Sequence, residues 1–184
     1  IMANGTLKVS NIQTSSGSGT ITIGQSGETI SIPSGATVSG AGANTPAFLV
    51  RLSGNQTLSH DTLTRIAWDT EVYDTANAFA SNVYTIPSGE GGKYVFSYCV
   101  FGDDSDNEDT FTAYMELDDS QIADSNVGLC SPRSGQNMIL RAVTIVDCTA
   151  GQVVEVVAKH QGTNQSEVVR SSGSFFSGYK LIGV

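Results

Sequence analysis

Two aromatic-rich stretches constrain the fold of this chain more than any other feature. Residues 91–101 read Gly-Gly-Lys-Tyr-Val-Phe-Ser-Tyr-Cys-Val-Phe and follow a turn signal at residues 86–90, and residues 175–184 form a second apolar stretch at the end of the sequence. Alternation of large aromatic and smaller residues is typical of a β-strand. Because a closing strand this apolar must be buried, we predict a β-sandwich in which the last strand pairs centrally. This architecture favours binding and assembly over catalysis.

The remaining sequence predicts an all-β jelly-roll sandwich. No window of ten or more residues has helical spacing of its apolar positions, and turn signals separate short alternating segments. About eight strands in about 140 residues suit a jelly roll. The predicted strands cover residues 47–52, 64–68, 82–86, 94–101, 111–117, 138–146, 152–158 and 175–184.

Five aromatic residues are the candidates for the core or for contacts between chains. Tyr94, Phe96 and Tyr98 lie on one face of one predicted strand, and Phe176 and Tyr179 lie in the last strand. The first strand carries apolar residues on its other face too. That pattern suits a strand covered by the core on one side and by a partner chain on the other.

Residues 1–45 differ in kind from residues 46–184, so we divide the chain into an N-terminal anchor with a short β-rich shaft and a head domain. Short Thr/Ser–Ile/Val alternations at residues 20–23, 29–32 and 37–39 are separated by turn signals. Strands of about four residues cannot make a core alone. Identical segments of neighbouring chains would stabilise them as a trimeric shaft. The alternative is a flexible Gly/Ser-rich linker.

The charge balance restricts the partners. The chain has 9 basic and 18 acidic residues, a net charge of −9. Because nucleic acids and anionic membranes are bound by basic surfaces, we expect neither as a partner. No run approaches the roughly 18 apolar residues of a membrane span. The first residues lack the pattern of a secretory signal, so we expect synthesis and folding in a cytoplasm.

Catalysis has no supporting constellation in the sequence. Cys99, Cys130 and Cys148 lack metal-site spacing and are expected to be free, mostly buried thiols. His60 and His160 have polar sequence neighbours, and no Gly-x-Ser-x-Gly motif is present. We expect no enzyme activity and no cofactor other than a calcium ion.

The calcium hypothesis rests on an acidic run. Its candidate ligands are Asp103, Asp104, Asp106, Glu108 and Asp109. Alternating oxygen ligands in a loop can surround a hard cation. The run lacks the Gly and distal Glu of an EF-hand loop, so a solvated inter-strand loop is the competing interpretation.

The order of motifs from residue 46 to residue 184 resembles the globular domain of complement first-component q and the wider tumour-necrosis-factor-like superfamily. The matching segments are residues 46–48, 66–68, 73–79, 84–96, 149–154 and 176–181, the last reading Phe-Ser-Gly-Tyr-Lys-Leu. The resemblance implies a ten-stranded jelly roll that forms a compact trimer. Gln152 stands where the family usually has Asp, which weakens the transfer of a metal-binding turn.

Residues 11–40 resemble the N-terminal sequences of bacteriophage virion proteins. Together the two resemblances imply a virion structural protein: a homotrimer that attaches to capsid or tail proteins through residues 1–45 and displays the head. The head would serve as a fibre tip that binds a host-surface glycan or protein, or it would decorate the capsid. Residues 69–81 and 119–136 are candidate binding loops. The alternative is a soluble or secreted bacterial tumour-necrosis-factor-like ligand or adhesin.

Overall fold

The computed structural model describes residues 9–13, 20–33, 36, 45–103, 110–130, 137–162 and 167–182. The chain divides into two units, Ile1–Ala41 and Gly42–Val184. The division falls four residues before the boundary that the sequence suggested. The second unit, the head, contains every strand that the structure assigns.

The head is built from short and long antiparallel strands with one 3-10 turn, Ala123–Ser125. In the part of the chain that the structure describes, no helix is long and apolar enough to cross a membrane. The strands are β1 (Ala47–Arg51), β2 (Gln56–Leu58), β3 (Thr64–Arg65), β4 (Thr70–Asp74), β5 (Phe79–Ala80), β6 (Val83–Thr85), β7 (Gly92–Asp103), β8 (Thr110–Leu117), β9 (Ser120–Gln121), β10 (Val127–Cys130), β11 (Asn137–Cys148), β12 (Val153–Gln161), β13 (Glu167–Val169) and β14 (Phe175–Lys180).

Two seven-stranded sheets form the sandwich. The first has the order β2-β13-β7-β14-β1-β4, with β11 on the other edge of β7. The second has the order β10-β8-β12-β6-β5, with β3 paired to β12 and β9 to β8. The last strand, β14, lies between β7 and β1, in the central position that its apolar sequence predicts.

The core between the sheets is rich in aromatic residues. Phe48 stacks on Tyr84 at a centroid distance of 4.2 Å and meets Phe176 edge-on at 4.9 Å. Tyr94 and Phe96 are stacked at 5.6 Å. Each of these rings is fully buried, and large aromatic side chains dominate the energetics of such a core.

Two tight hairpins show how local sequence sets the register of the second sheet. Ser81 and Asn82 join β5 to β6, and Asp118 and Asp119 join β8 to β9; all four residues have positive φ angles between 49° and 69°. Positive φ at both central residues is the geometry of a type I′ turn, which matches the twist of the flanking strands. Asn and Asp tolerate this conformation better than most residues.

The N-terminal unit, taken by itself, has no strand in its described residues 9–13, 20–33 and 36. The predicted strands at residues 20–23 and 29–32 are therefore absent from the single chain, and residues 37–39 lie outside the described part. A turn does form, because the N–H of Glu28 donates to the Gln25 carbonyl oxygen at 3.0 Å. Short alternating segments bury too little surface to hold a ladder without partners.

Candidate interface and binding surfaces

Four of the five aromatic residues selected from the sequence lie in the core of the head. Tyr94, Phe96, Tyr98 and Phe176 are at most 1% exposed. The Tyr98 hydroxyl lies 2.6 Å from the Ala113 carbonyl oxygen and 2.8 Å from that of Ser125, so its proton satisfies buried acceptors. Burial raises the pKa of this hydroxyl.

Tyr179 occupies the opposite side of the same sheet. It is 39% exposed and pairs with Val95 on β7 and with Ala47 on β1. We call this outward side of the first sheet the outer face. Along β7 it carries Lys93, Val95, Ser97, Cys99 and Phe101, which alternate with the buried aromatic residues.

The outer face is apolar across several strands. On β11, Ile139, Val143 and Ile145 point outward, and Val143 and Ile145 are 68% and 62% exposed. The register places Ile145 beside Val95, and Val95 beside Tyr179. Isolated exposed apolar residues are ordinary on a protein surface, whereas a contiguous group marks an interaction site.

The few polar groups at the centre of the outer face are already paired within the chain. The hydroxyls of Ser97 and Ser177 lie 2.9 Å apart, and the Nε–H of Arg141 donates to the Cys99 sulfur at 3.3 Å. Paired polar groups can be covered by a partner at little desolvation cost. The outer face is therefore suited to burial against another protein surface.

The calcium hypothesis falls mostly outside the described residues. Asp103 is the last residue of β7. Asp104, Asp106, Glu108 and Asp109 lie outside the described part of the chain. A calcium site in this run therefore stays a prediction.

A different carboxylate cluster, which the sequence did not suggest, lies on the second sheet. Carboxylate oxygens of Glu116, Asp119 and Glu155 lie within 4.8 Å of one another, because Glu116 and Glu155 are direct cross-strand neighbours. Burial, followed by repulsion from Asp119, raises the pKa of Glu116, and Arg65 opposes the increase. Since Arg65 also forms an ion pair with Glu155, the cluster contains its own counter-charge.

The described cysteine and histidine side chains contact other parts of the head. Cys99 and Cys148 are buried free thiols, and burial raises the pKa of Cys148 to about 11. Its thiol therefore stays protonated at neutral pH, whereas the strong nucleophile is the thiolate. The two histidine rings lie 5.9 Å apart, and His60 contacts the Gly162 carbonyl oxygen through Nε2 at 3.2 Å.

The exposed residues of β11 were not identified as functional from the sequence, although a signal was present. Residues 138–146 read Met-Ile-Leu-Arg-Ala-Val-Thr-Ile-Val, with apolar residues at both odd and even positions. A strand that faces solvent on one side would alternate apolar and polar residues. Apolar residues at both odd and even positions therefore indicate a strand that is covered on both faces.

The head has the jelly-roll fold of complement-1q and tumour-necrosis-factor globular domains. No protein-family model matches the chain, and no curated protein matches it. Among solved structures, the globular domain of zebrafish complement 1qA protein matches with a TM-score of 0.50 and 11% identity, over 74% of this chain and 97% of that one.

Two further structures give the same result. Eiger TNF from S. frugiperda matches with a TM-score of 0.53 and 14% identity, over 75% of this chain and 93% of that one. Murine APRIL at pH 5.0 matches with a TM-score of 0.51 and 11% identity, over 73% and 98% of the two chains. Identities this low relate the chain to these proteins by fold.

Proposed function

We propose that the chain is a structural protein of a bacteriophage particle. In this proposal it is a homotrimer that attaches to capsid or tail proteins through residues 1–45 and displays the jelly-roll head outward, as a short fibre or a capsid decoration. The apolar outer face is the observation that supports self-assembly. The resemblance of residues 11–40 to phage virion proteins supports a place in the phage particle.

The chemistry of the outer face suits another copy of the chain. Its centre is apolar at Val95, Val143 and Ile145, while its margins carry both Lys93 and Asp147 as cross-strand neighbours. A surface that carries both signs of charge around an apolar centre can pack against itself without a net repulsion. The resemblance to trimeric domains makes three copies the proposed number.

The N-terminal unit supports the same assembly. Ile21, Ile23, Ile30 and Ile32 are 42–62% exposed in the single chain. A solvated linker has no need of isoleucine at alternate positions, whereas a shaft built from several chains would bury them. The exposed isoleucines therefore support the trimeric shaft as the second assembly element.

The first test is the mass in solution of the full chain and of a truncation that begins at Pro46. The proposal predicts three times the protomer mass of 19.2 kDa for the full chain, and a trimeric truncation would assign assembly to the head. Light scattering after gel filtration gives these masses directly. Monomers in both samples would refute the trimer.

A point variant tests whether the outer face makes the contact. Val143→Asp places a charge on the proposed interface, and burial of an unpaired charge is costly. We expect monomers with an unchanged circular dichroism spectrum. Leu63→Asp is the matched control, since Leu63 is 43% exposed but lies between β2 and β3; it should remain trimeric. A trimeric Val143→Asp variant would exclude the outer face.

The particle needs its own test. Mass spectrometry of purified phage virions that encode this chain should detect it in stoichiometric amounts. If the chain is absent from the virions but trimeric in solution, the alternative of a bacterial tumour-necrosis-factor-like ligand or adhesin replaces the virion proposal. Binding to isolated capsids through residues 1–45 would favour decoration over a fibre.

A further inference from the structure

A small cavity lies at the end of the head that is far from the point of chain entry. The chain enters β1 at Ala47, and the backbone N–H of Lys180 donates to the Pro46 carbonyl oxygen at 3.0 Å there. Arg51 ends β1, roughly 14 Å further along at the usual rise per residue. A cavity of about 370 Å³ at this far end is lined by Arg51, Phe175 and the turn Ser171–Ser174.

Arg51 lacks a side-chain partner, whereas each of the other described arginines has one. Arg65 forms an ion pair with Glu155, Arg141 donates to Cys99, and the guanidinium of Arg170 lies 5.8 Å from the centre of the Phe101 ring. Among the described residues, Arg51 has no side-chain hydrogen bond and no ion pair. Arg51 is exposed, so its guanidinium is available to an anionic ligand in the cavity.

The acidic residue closest to Arg51 along the backbone hydrogen-bond network has other partners. The N–H of Asp69 donates to the Arg51 carbonyl oxygen at 3.1 Å. Its carboxylate, however, accepts from the N–H and the hydroxyl of Ser53 at 2.6 Å and 2.5 Å. Asp69 therefore does not compete for the guanidinium.

The walls of the cavity supply the Ser172 hydroxyl and an aromatic ring that suit a sugar, while Ser171 and Ser174 shape the turn through bonds within the chain. Ser172 is an exposed serine on the turn, and Ser171 is held in place because its N–H donates to Asn55 at 2.9 Å. Ser174 is buried, with its hydroxyl bonded to the Arg170 carbonyl oxygen at 2.6 Å. The half-buried Phe175 ring adds an aromatic wall. Binding pockets commonly combine an aromatic wall with a few convergent polar groups.

We propose that this cavity binds an acidic sugar, one that carries a carboxylate, with Arg51 as the carboxylate partner. A guanidinium presents two parallel N–H donors that match a carboxylate. Ser172 donates or accepts at a sugar hydroxyl, and Phe175 packs against the apolar side of the ring.

Two other cavities fit this ligand less well. One of about 600 Å³ is lined by small and apolar residues near Ile86 and Pro87, with no charged side chain in its lining. Another of about 320 Å³ contains Asp118, Asp119 and Glu155 together with Arg65, and its excess negative charge repels an anion. Of these three cavities, the Arg51 cavity is the one whose lining contains a cation without a partner among the described residues.

The inference rests on the proposed function, because it gives the displayed head a class of host-surface ligand. It requires that the contact between copies at Val95, Val143 and Ile145 leave Arg51 and Phe175, nearer the far end of the same face, open to the ligand. The experiment uses the full chain and measures binding of glucuronic acid by calorimetry or by NMR shift changes. Methyl glucoside, acetate and inorganic phosphate serve as comparison probes. We expect saturable binding of glucuronic acid that is at least tenfold tighter than that of each comparison probe.

Variants locate the site. Arg51→Gln should weaken glucuronic acid binding at least tenfold, and Arg51→Lys should weaken it about threefold because the charge remains while the fork is lost. Lys159→Gln is the matched control: it removes one positive charge from β12 of the second sheet, away from the outer face and the cavity, and it should change binding less than twofold.

Several outcomes would overturn the inference. Equal binding by wild type and Arg51→Gln would exclude this cavity, and no binding by the wild type would exclude the ligand class. Equal affinity for acetate or phosphate would reduce the site to a general anion site, and equal affinity for methyl glucoside would remove the role of the charge. Masses measured on the same samples separate the two proposals, because a trimer that does not bind refutes only the acidic-sugar site.

Discussion

Replacement of Gly178 by alanine tests the packing of the last strand. Gly178 lies in β14 and pairs with Phe96 on β7 and with Phe48 on β1. A Cβ at this position would lie 2.5 Å from Phe96 Cδ1 and 2.8 Å from Phe48 Cε1. Both rings are fully buried and stack on further aromatic residues. Neither ring can move without displacing its neighbours.

The expected loss of unfolding free energy is about 2 kcal/mol. Overpacking of a dense core costs about 1–3 kcal/mol, and an overlap at 2.5 Å with a buried ring places this substitution near the upper end. The reduced freedom of the unfolded chain returns about 0.4–1 kcal/mol, which leaves about 2 kcal/mol. At a urea slope of about 2 kcal/mol per molar for a domain of this size, the midpoint should fall by about 1 M. The midpoints are compared at one protein concentration, because association contributes to apparent stability.

Gly54→Ala is the control for this experiment. A Cβ on Gly54 meets no atom within 4 Å, and its φ is not in the left-handed region. Its midpoint should stay the same or rise slightly. If Gly178→Ala changes the unfolding free energy by less than about 0.5 kcal/mol, the close contact between the last strand and the two phenylalanine rings is refuted.

Three further predictions concern stability. Phe96→Ala should cost about 3–5 kcal/mol because it removes a fully buried ring, and a loss below about 0.5 kcal/mol in urea unfolding would contradict the burial. Tyr98→Phe should cost about 1–2 kcal/mol, since it leaves the buried Ala113 carbonyl without this donor; an unchanged midpoint would show that the bond contributes nothing. Hydrogen bonds from Ser53 lower the pKa of Asp69, so its contribution to stability is complete above about pH 4 and is lost as the pH falls through the lowered pKa. Urea midpoints measured at decreasing pH should fall less steeply for Asp69→Asn than for the wild type, and parallel curves would exclude this contribution.

The long strands could be predicted because their patterns are strong. Tyr94, Phe96 and Tyr98 alternate with smaller residues, and the structure places all three in the core of β7. Residues 138–146 also fall within β11. In such strands the residue spacing alone fixes which side chains share a face, because successive side chains point to opposite sides.

The edge strands and the short strands could not be predicted, because their sequence patterns are weak. The sequence predicts a loop over residues 69–81, either a candidate binding loop or a simple connection, yet Thr70–Asp74 form β4 at the edge of the first sheet. Four of its five residues are exposed, so no alternation of apolar and polar residues reveals the strand. The sequence predicts one strand over residues 64–68, but the ladder includes only Thr64–Arg65. Ile66 still donates its N–H to the Val156 carbonyl oxygen at 2.9 Å, and the chain then turns, with the Trp68 N–H donating to the Ile66 carbonyl oxygen at 3.0 Å.

The Arg51 cavity and the outer face show different limits of sequence reasoning. The sequence of β11 indicates the outer face, because apolar residues occupy both odd and even positions. No sequence pattern indicates the cavity. Arg51 lies beside Phe175 only because β1 and β14 pair in one register. No local pattern encodes a contact between residues that lie so far apart in the sequence.

The topology of the head explains how one small domain can both assemble and bind a ligand. Strand β1 begins, and β14 ends, at the same end of the first sheet, where the Leu181 N–H also donates to the Lys93 carbonyl oxygen at 2.8 Å. The far end is formed by turns such as Ser171–Ser174, which tolerate change better than strands do. The apolar centre of the outer face, formed by Val95, Val143 and Ile145, lies between these two ends. Arg51 and Phe175 lie on the same face nearer the far end, because Phe175 pairs with Cys99. Changes in the turn Ser171–Ser174 can therefore alter ligand preference without altering Val95, Val143 and Ile145, the residues that are proposed to hold the copies together.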